Sequence, residues 1–169
     1  MGDWLELFNT YRVPAQHLTS FLLAAAIWRW GAGPERWLIG SFLVTMVLPV
    51  YVVWWLGLGA LESGPHAPVF MLVDMLAAVI FTAVALNANR NYPLWIAGFQ
   101  LVAVGAHLVQ ALVEGVSPLA VAVLVIGPSY FQLLLLIGGF ARHVHRLRRF
   151  GPYREWRFAA PLARGGVRL

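Results

Sequence analysis

Cysteine is absent from this 169-residue chain, which excludes a disulfide framework, a thiolate metal site and a cysteine nucleophile, whichever compartment the loops face. Lysine is absent too, so all 12 basic residues are arginine. Charge of either sign is scarce: 11% of residues are charged, 60% are apolar and the mean hydropathy is +0.73. Soluble domains carry roughly 25% charged residues. So little polar material cannot cover a water-facing surface, and a soluble enzyme or carrier is excluded. Soluble-enzyme signatures are missing as well, with no phosphate-cradling glycine loop, paired-histidine zinc helix, nucleophile elbow or dinucleotide fingerprint. No catalytic residue and no metal-ligating set is therefore expected.

What is present is apolar sequence in long runs. A helix needs about 20 apolar residues to cross a hydrocarbon core of about 30 Å, and the windows of that kind are Pro14 to Trp30, Trp37 to Leu61, Val69 to Ala88, Leu94 to Val113 and Leu119 to Ala141. An all-α membrane bundle of about five transmembrane helices is expected. The first window is the weakest, being short and carrying His17 near one end and Arg29 at the other, and the alternative is four spans plus a re-entrant or interfacial segment. Before it, Met1 to Gln16 has no basic stretch preceding an apolar core, so no cleaved leader is expected. Trp4, Leu5, Leu7, Phe8 and Tyr11 fall at helical spacing, which predicts a short interfacial helix. Residues 1–150 thus read as the bundle with its interfacial helix, and residues 151–169 as a basic tail.

Proline marks both starts and bends. Gly33-Pro34-Glu35-Arg36 opens the second span with Pro early and Glu in the first turn, favouring the helix dipole. Pro93 and Pro118 open later spans, whereas Pro49 and Pro128 fall inside spans and are expected to kink them. Gly57, Gly59, Gly98, Gly105, Gly138 and Gly139, with Ala77, Ala78 and Ala85, offer small surfaces for close helix approach.

Arginine placement gives orientation, because short cytoplasmic loops retain positive charge. Arg29, Arg36 and Arg90 share one side with Arg142, Arg146, Arg148 and Arg149 when there are five spans. The other side holds Asp3, Glu6, Glu62, His66 and Glu114, with Arg12 as its arginine. The C-terminus is therefore expected in the cytoplasm. Arg142, Arg146, Arg148 and Arg149 are expected to contact lipid headgroups or a partner rather than nucleic acid. His143 and His145 among them read as part of a solvated helix end.

Polar side chains inside hydrocarbon are expensive enough to be informative. Asp74, Gln100, His107, Gln110, Ser129 and Gln132 are the chief ones. Gln100, Ala103, His107, Gln110 and Glu114 recur at steps of three and four, which puts them on one stripe of the fourth span. Counting inward at about 1.5 Å per residue, Asp74 and His107 lie roughly 8 to 9 Å below the outer boundary. An Asp beside a His lowers the cost of burying either. Counted from the inner boundary, Gln100 and Gln132 also come out at similar depth, where two amides can pair. Asp74 with His107 is either interhelical glue or a proton-relay or cation-binding pair, and Gln100, Gln110 and Gln132 extend the polar stripe. Haem held by His107 and His17 lacks a second histidine deep in another span, so no cofactor is expected.

Gly31 to Trp37 (GAGPERW) and Asn87 to Gln100 (NANRNYPLWIAGFQ), running on into Ala106-His107-Leu108, resemble small polytopic membrane proteins of sphingomonad-type alphaproteobacteria. The resemblance covers the second half of the first span through the fourth and implies a bacterial inner membrane. It brings no activity with it. The leading expectation is a non-catalytic accessory or assembly subunit of a larger membrane complex, with lipids and other membrane subunits as partners. The rival is a small proton- or ion-coupled transporter or channel using Asp74 and His107.

Overall fold

The computed structural model describes residues 3–57, 67–112 and 117–158. They form α1 (Asp3–Trp30), α2 (Gly33–Phe42), α3 (Leu48–Leu56), α4 (Ala67–Asn87), α5 (Tyr92–Leu112) and α6 (Pro118–Phe150). A π-turn at Leu43–Val47 joins α2 to α3, so these two are halves of one span. Four helical stretches are long and apolar enough to cross a membrane: Gly33–Leu56, Val69–Asn87, Tyr92–Leu112 and Val123–Phe150. The described residues form a helical membrane bundle, and α1 is its fifth helix.

The sequence separates an interfacial helix from a first span at Pro14, but the backbone runs through as α1, with Pro14 inside it. A proline costs one backbone hydrogen bond, and helices in apolar surroundings tolerate that when neighbouring groups make up the loss. At 28 residues and about 1.5 Å per residue, α1 is about 42 Å long. Its hydroxyls bond back to the preceding turn, Thr19 Oγ1 to the Ala15 carbonyl at 2.7 Å and Ser20 Oγ to that of Gln16 at 2.7 Å. Neither is left needing water.

The two internal prolines behave differently. Pro49 lacks an N–H and crowds the carbonyl four residues earlier, and the wider π-turn at Leu43–Val47 precedes it. Thr45 Oγ1 within that turn donates to the Ser41 carbonyl at 2.8 Å. Pro128, by contrast, lies inside one continuous helix, α6. That helix has 33 residues, or about 50 Å, and outlasts the hydrocarbon by several turns. Its last turns carry Arg142, Arg146, Arg148 and Arg149, all exposed.

Helix α5 packs against both α4 and α6, while α2 packs against α1 and α4. Alanines permit the close approach of α4 and α5: Ala77, Ala78 and Ala85 on one, Ala97, Ala103 and Ala106 on the other, are all buried. Ile27, Leu38, Phe42, Phe81, Ile96 and Leu136 fill the centre from five helices. Most other large apolar side chains point outward, as lipid contact requires. The expected glycine surfaces are only partly used. A Cβ on Gly139 would fall 2.7 Å from the Tyr92 ring, but Gly98, Gly105 and Gly138 meet nothing within 4 Å. Gly57 instead ends α3 in the left-handed region at φ 66°, and Gly59 lies outside the described residues.

Helix α3 has no buried residue, and Trp54 and Trp55 are 80% and 79% exposed. At the other end of the bundle, Gly151 takes φ 76°, a conformation suited to glycine, and reverses the chain. Residues 151–158 then return along the link between α4 and α5. Ala88 and Trp156 form an antiparallel bridge, Asn89 N donates to the Glu155 carbonyl at 3.0 Å, and Arg157 N donates to that of Asn87 at 2.8 Å. The start of the expected basic tail is therefore a strap laid on the bundle, and residues 159–169 lie outside the described residues.

Candidate functional site

Helices α4, α5 and α6 bring one polar chain together inside the membrane. His107 Nε2 and Asp74 Oδ2 are 2.9 Å apart, Gln100 Nε2 donates to Asp74 Oδ1 at 2.9 Å, and Gln132 Nε2 donates to Gln100 Oε1 at 2.8 Å. Gln100 Nε2 also reaches the Asp74 carbonyl at 3.2 Å, and Gln132 Nε2 reaches that of Ile96 at 3.3 Å. Gln100 and His107 are two turns apart on the same face of α5, which lets Asp74 bridge them with its two carboxylate oxygens. The amide orientations follow from the partners: both Gln132 contacts are to acceptors, so the nitrogen faces them.

The chain has a direction. Donors run from Gln132 to Gln100 to Asp74, and for the carboxylate to accept from His107 the Nε2 atom carries the proton. Asp74 thus receives hydrogen bonds from both sides, replacing the hydration lost on burial. Gln100 and Gln132 are 1% and 0% exposed, while the side chains of His107 and Asp74 are 16% and 12% exposed. At the buried end Gln132 Oε1 has no partner. Gln110 does not join the chain and is exposed. Along the stripe on α5, Gln100 and Ala103 are buried, His107 is half-buried and Gln110 is exposed. Glu114 lies outside the described residues.

The remaining polar residues make local ties. Ser129 accepts from Gln16 Nε2 at 3.0 Å and donates to the Ile126 carbonyl at 2.8 Å, tying α1 to α6. His17 Nδ1 lies 3.3 Å from the Tyr51 hydroxyl, with the rings 5.2 Å apart, tying α1 to α3. The two histidines considered for haem thus each already face a protein group. Among the described residues no group of three or more His, Asp or Glu is placed to hold a metal ion.

A second polar cluster, not foreseen in the sequence, lies at the arginine-rich end. Glu35 is fully buried and ion-paired with Arg90, whose side chain is 8% exposed. Arg90 Nη2 donates to His143 Nδ1 at 3.1 Å, and the Tyr153 hydroxyl lies 2.8 Å from the same nitrogen. Arginine has no acceptor, so Nδ1 carries no proton here. The guanidinium also sits 5.3 Å from the centre of the Tyr153 ring, and Arg146 packs on that ring at 4.2 Å. Burial pushes the Arg90 pKa below the ordinary arginine value, opposed by the negative charge of Glu155. Glu155 Oε2 in turn accepts from Gly33 N at 2.9 Å.

Two expectations change here. His143 is 6% exposed and belongs to this cluster instead of a solvated helix end, because Tyr153 of the strap covers it; His145 is exposed. Glu35 is an ion-pair partner more than a dipole residue, because the first turn of α2 faces the α4–α5 link.

Comparison of the chain with protein-family models, with curated proteins and with solved structures returned no match.

Proposed function

We propose that this chain is a non-catalytic membrane protein acting through helix contacts, as an accessory or assembly subunit of a larger complex in a bacterial inner membrane, with its C-terminus in the cytoplasm. The observation that carries this reading is the continuity of the mid-membrane polar chain. Asp74, Gln100, His107 and Gln132 bond to one another across three helices, which is what interhelical glue requires. The outer half of the second span supports it, since α3 buries no residue within the chain and presents Trp54 and Trp55 outward. That face is available to another subunit. The exposed Arg142, Arg146, Arg148 and Arg149 match anionic headgroups or an acidic partner surface at the cytoplasmic side.

The test is purification from native membranes in a mild detergent, with mass analysis of what accompanies the protein. A reproducible, stoichiometric membrane partner is expected; its loss on substituting Trp54 and Trp55 together by Ala would place the contact on α3. A solitary protein, free of partners across detergents, would overturn the reading.

One observation favours a second reading, a proton- or ion-coupled transporter. The Asp74 and His107 side chains retain 12% and 16% exposure, leaving the acidic end of the chain within reach of a proton or cation. In a transporter Asp74→Asn abolishes coupled movement, whereas in an accessory subunit it leaves assembly intact.

A further inference from the structure

A groove of about 660 Å³ opens sideways between α2 and α4, with Trp28, Arg36 and Trp37 at one end and Gly40, Thr45 and Ile80 along it. From Gly33 to Thr45 it follows the second span for about 18 Å, close to the depth of one leaflet of a core about 30 Å thick. Its wall is mainly apolar, with Val44, Leu76 and Ile80 beside Ser41 and Thr45, and the Thr45 hydroxyl is already bonded to the Ser41 carbonyl. Small residues make the hollow: a Cβ on Gly40 would meet nothing within 4 Å.

The mouth has the opposite character. Glu35 turns inward to Arg90, but the neighbouring Arg36 is exposed, donates one hydrogen bond to the Trp28 carbonyl at 3.3 Å, and has no carboxylate partner among the described residues. Arg29 adds a second exposed cation at this end. Trp28 and Trp37, each 63% exposed, flank the mouth, where tryptophan marks headgroup level. A cation with spare donors above an apolar slot one leaflet deep is complementary to a phosphate joined to an acyl chain.

We propose that this groove is a binding site for one anionic glycerophospholipid, its phosphate on Arg36 and one acyl chain along Gly40 and Ile80. The site is separate from the polar chain and from the basic end of α6, and it does not depend on the role proposed above.

The test is native mass spectrometry of the whole protein, delipidated in detergent and titrated with phosphatidylglycerol or with phosphatidylcholine of the same acyl chains. One tightly held phosphatidylglycerol is expected, with phosphatidylcholine at least tenfold weaker. Arg36→Gln should weaken phosphatidylglycerol about tenfold, equivalent to about 1.4 kcal/mol, and bring the two lipids level. Gly40→Leu should remove the bound lipid by filling the slot. Gly98→Leu, at another glycine with open space around it, should leave binding unchanged, and circular dichroism checks that each variant remains helical. Equal retention in wild type, Arg36→Gln and Gly40→Leu would overturn the proposal. So would a lipid-free dimer broken by Gly40→Leu, which would assign the groove to a second copy of the chain.

Discussion

Substituting Glu35 alone should cost far more than substituting it together with Arg90. Glu35 is 0% exposed and the Arg90 side chain 8% exposed, so neither charge can recover hydration if its partner is removed. Breaking a buried pair from one side costs about 3–5 kcal/mol, whereas replacing both partners by apolar groups is often neutral. For a chain of this size about 2–4 °C of midpoint follows each kcal/mol, so Glu35→Gln should lower the apparent Tm by about 6–20 °C. Glu35→Leu with Arg90→Met should recover much of that. Recovery should be incomplete, because Arg90 also donates to His143 and stacks on Tyr153. The assay is thermal unfolding in one detergent, followed by circular dichroism and completed as a double-mutant cycle. A Glu35→Gln protein melting with the wild type, or a double variant no more stable than the single, would refute the reasoning.

Asp74→Ala removes the acceptor for Gln100 and His107, yet bonds between membrane helices average only about 0.6 kcal/mol. A loss of about 1–2 kcal/mol is expected in a denaturant titration, with Asp74→Asn losing less. Gly139→Ala should destabilise by about 1–3 kcal/mol, because its methyl would meet the Tyr92 ring. The adjacent Gly138→Ala, in open space, should stabilise by about 0.5–1 kcal/mol. Trp156→Ala should release the strap: limited proteolysis would then cut within residues 151–158 while the helical signal persists, and unchanged protection would show that Trp156 does not hold it.

The membrane architecture and the polar chain were legible because both follow from simple counting. Apolar run length gave four of the helices, and equal depth brought Asp74 to His107 and Gln100 to Gln132. Counting could not join the pairs into one chain, since depth does not say which oxygen of Asp74 faces which neighbour. Nor could it follow α1 through Pro14, where the cue for a break was local and the packing that carries the helix through is not. Glu35 was hidden by its neighbour: adjacent residues on a helix point in different directions, so Arg36 marks the surface while Glu35 goes to the core. The strap left a faint trace. Gly151, Tyr153 and Glu155 are partly buried and alternate with the exposed Pro152 and Arg154, the period of an extended segment lying on a surface. Read by composition, the same residues look like a basic tail.

The measurement closest to the central claim is proton flux into vesicles reconstituted with the purified protein and loaded with a pH-sensitive dye. If Asp74 and His107 serve to join α4 to α5, wild type and Asp74→Asn will both match protein-free vesicles under an imposed potential. Flux through the wild type that disappears in Asp74→Asn, with the helical content unchanged, would contradict the account and make the polar chain a transport path.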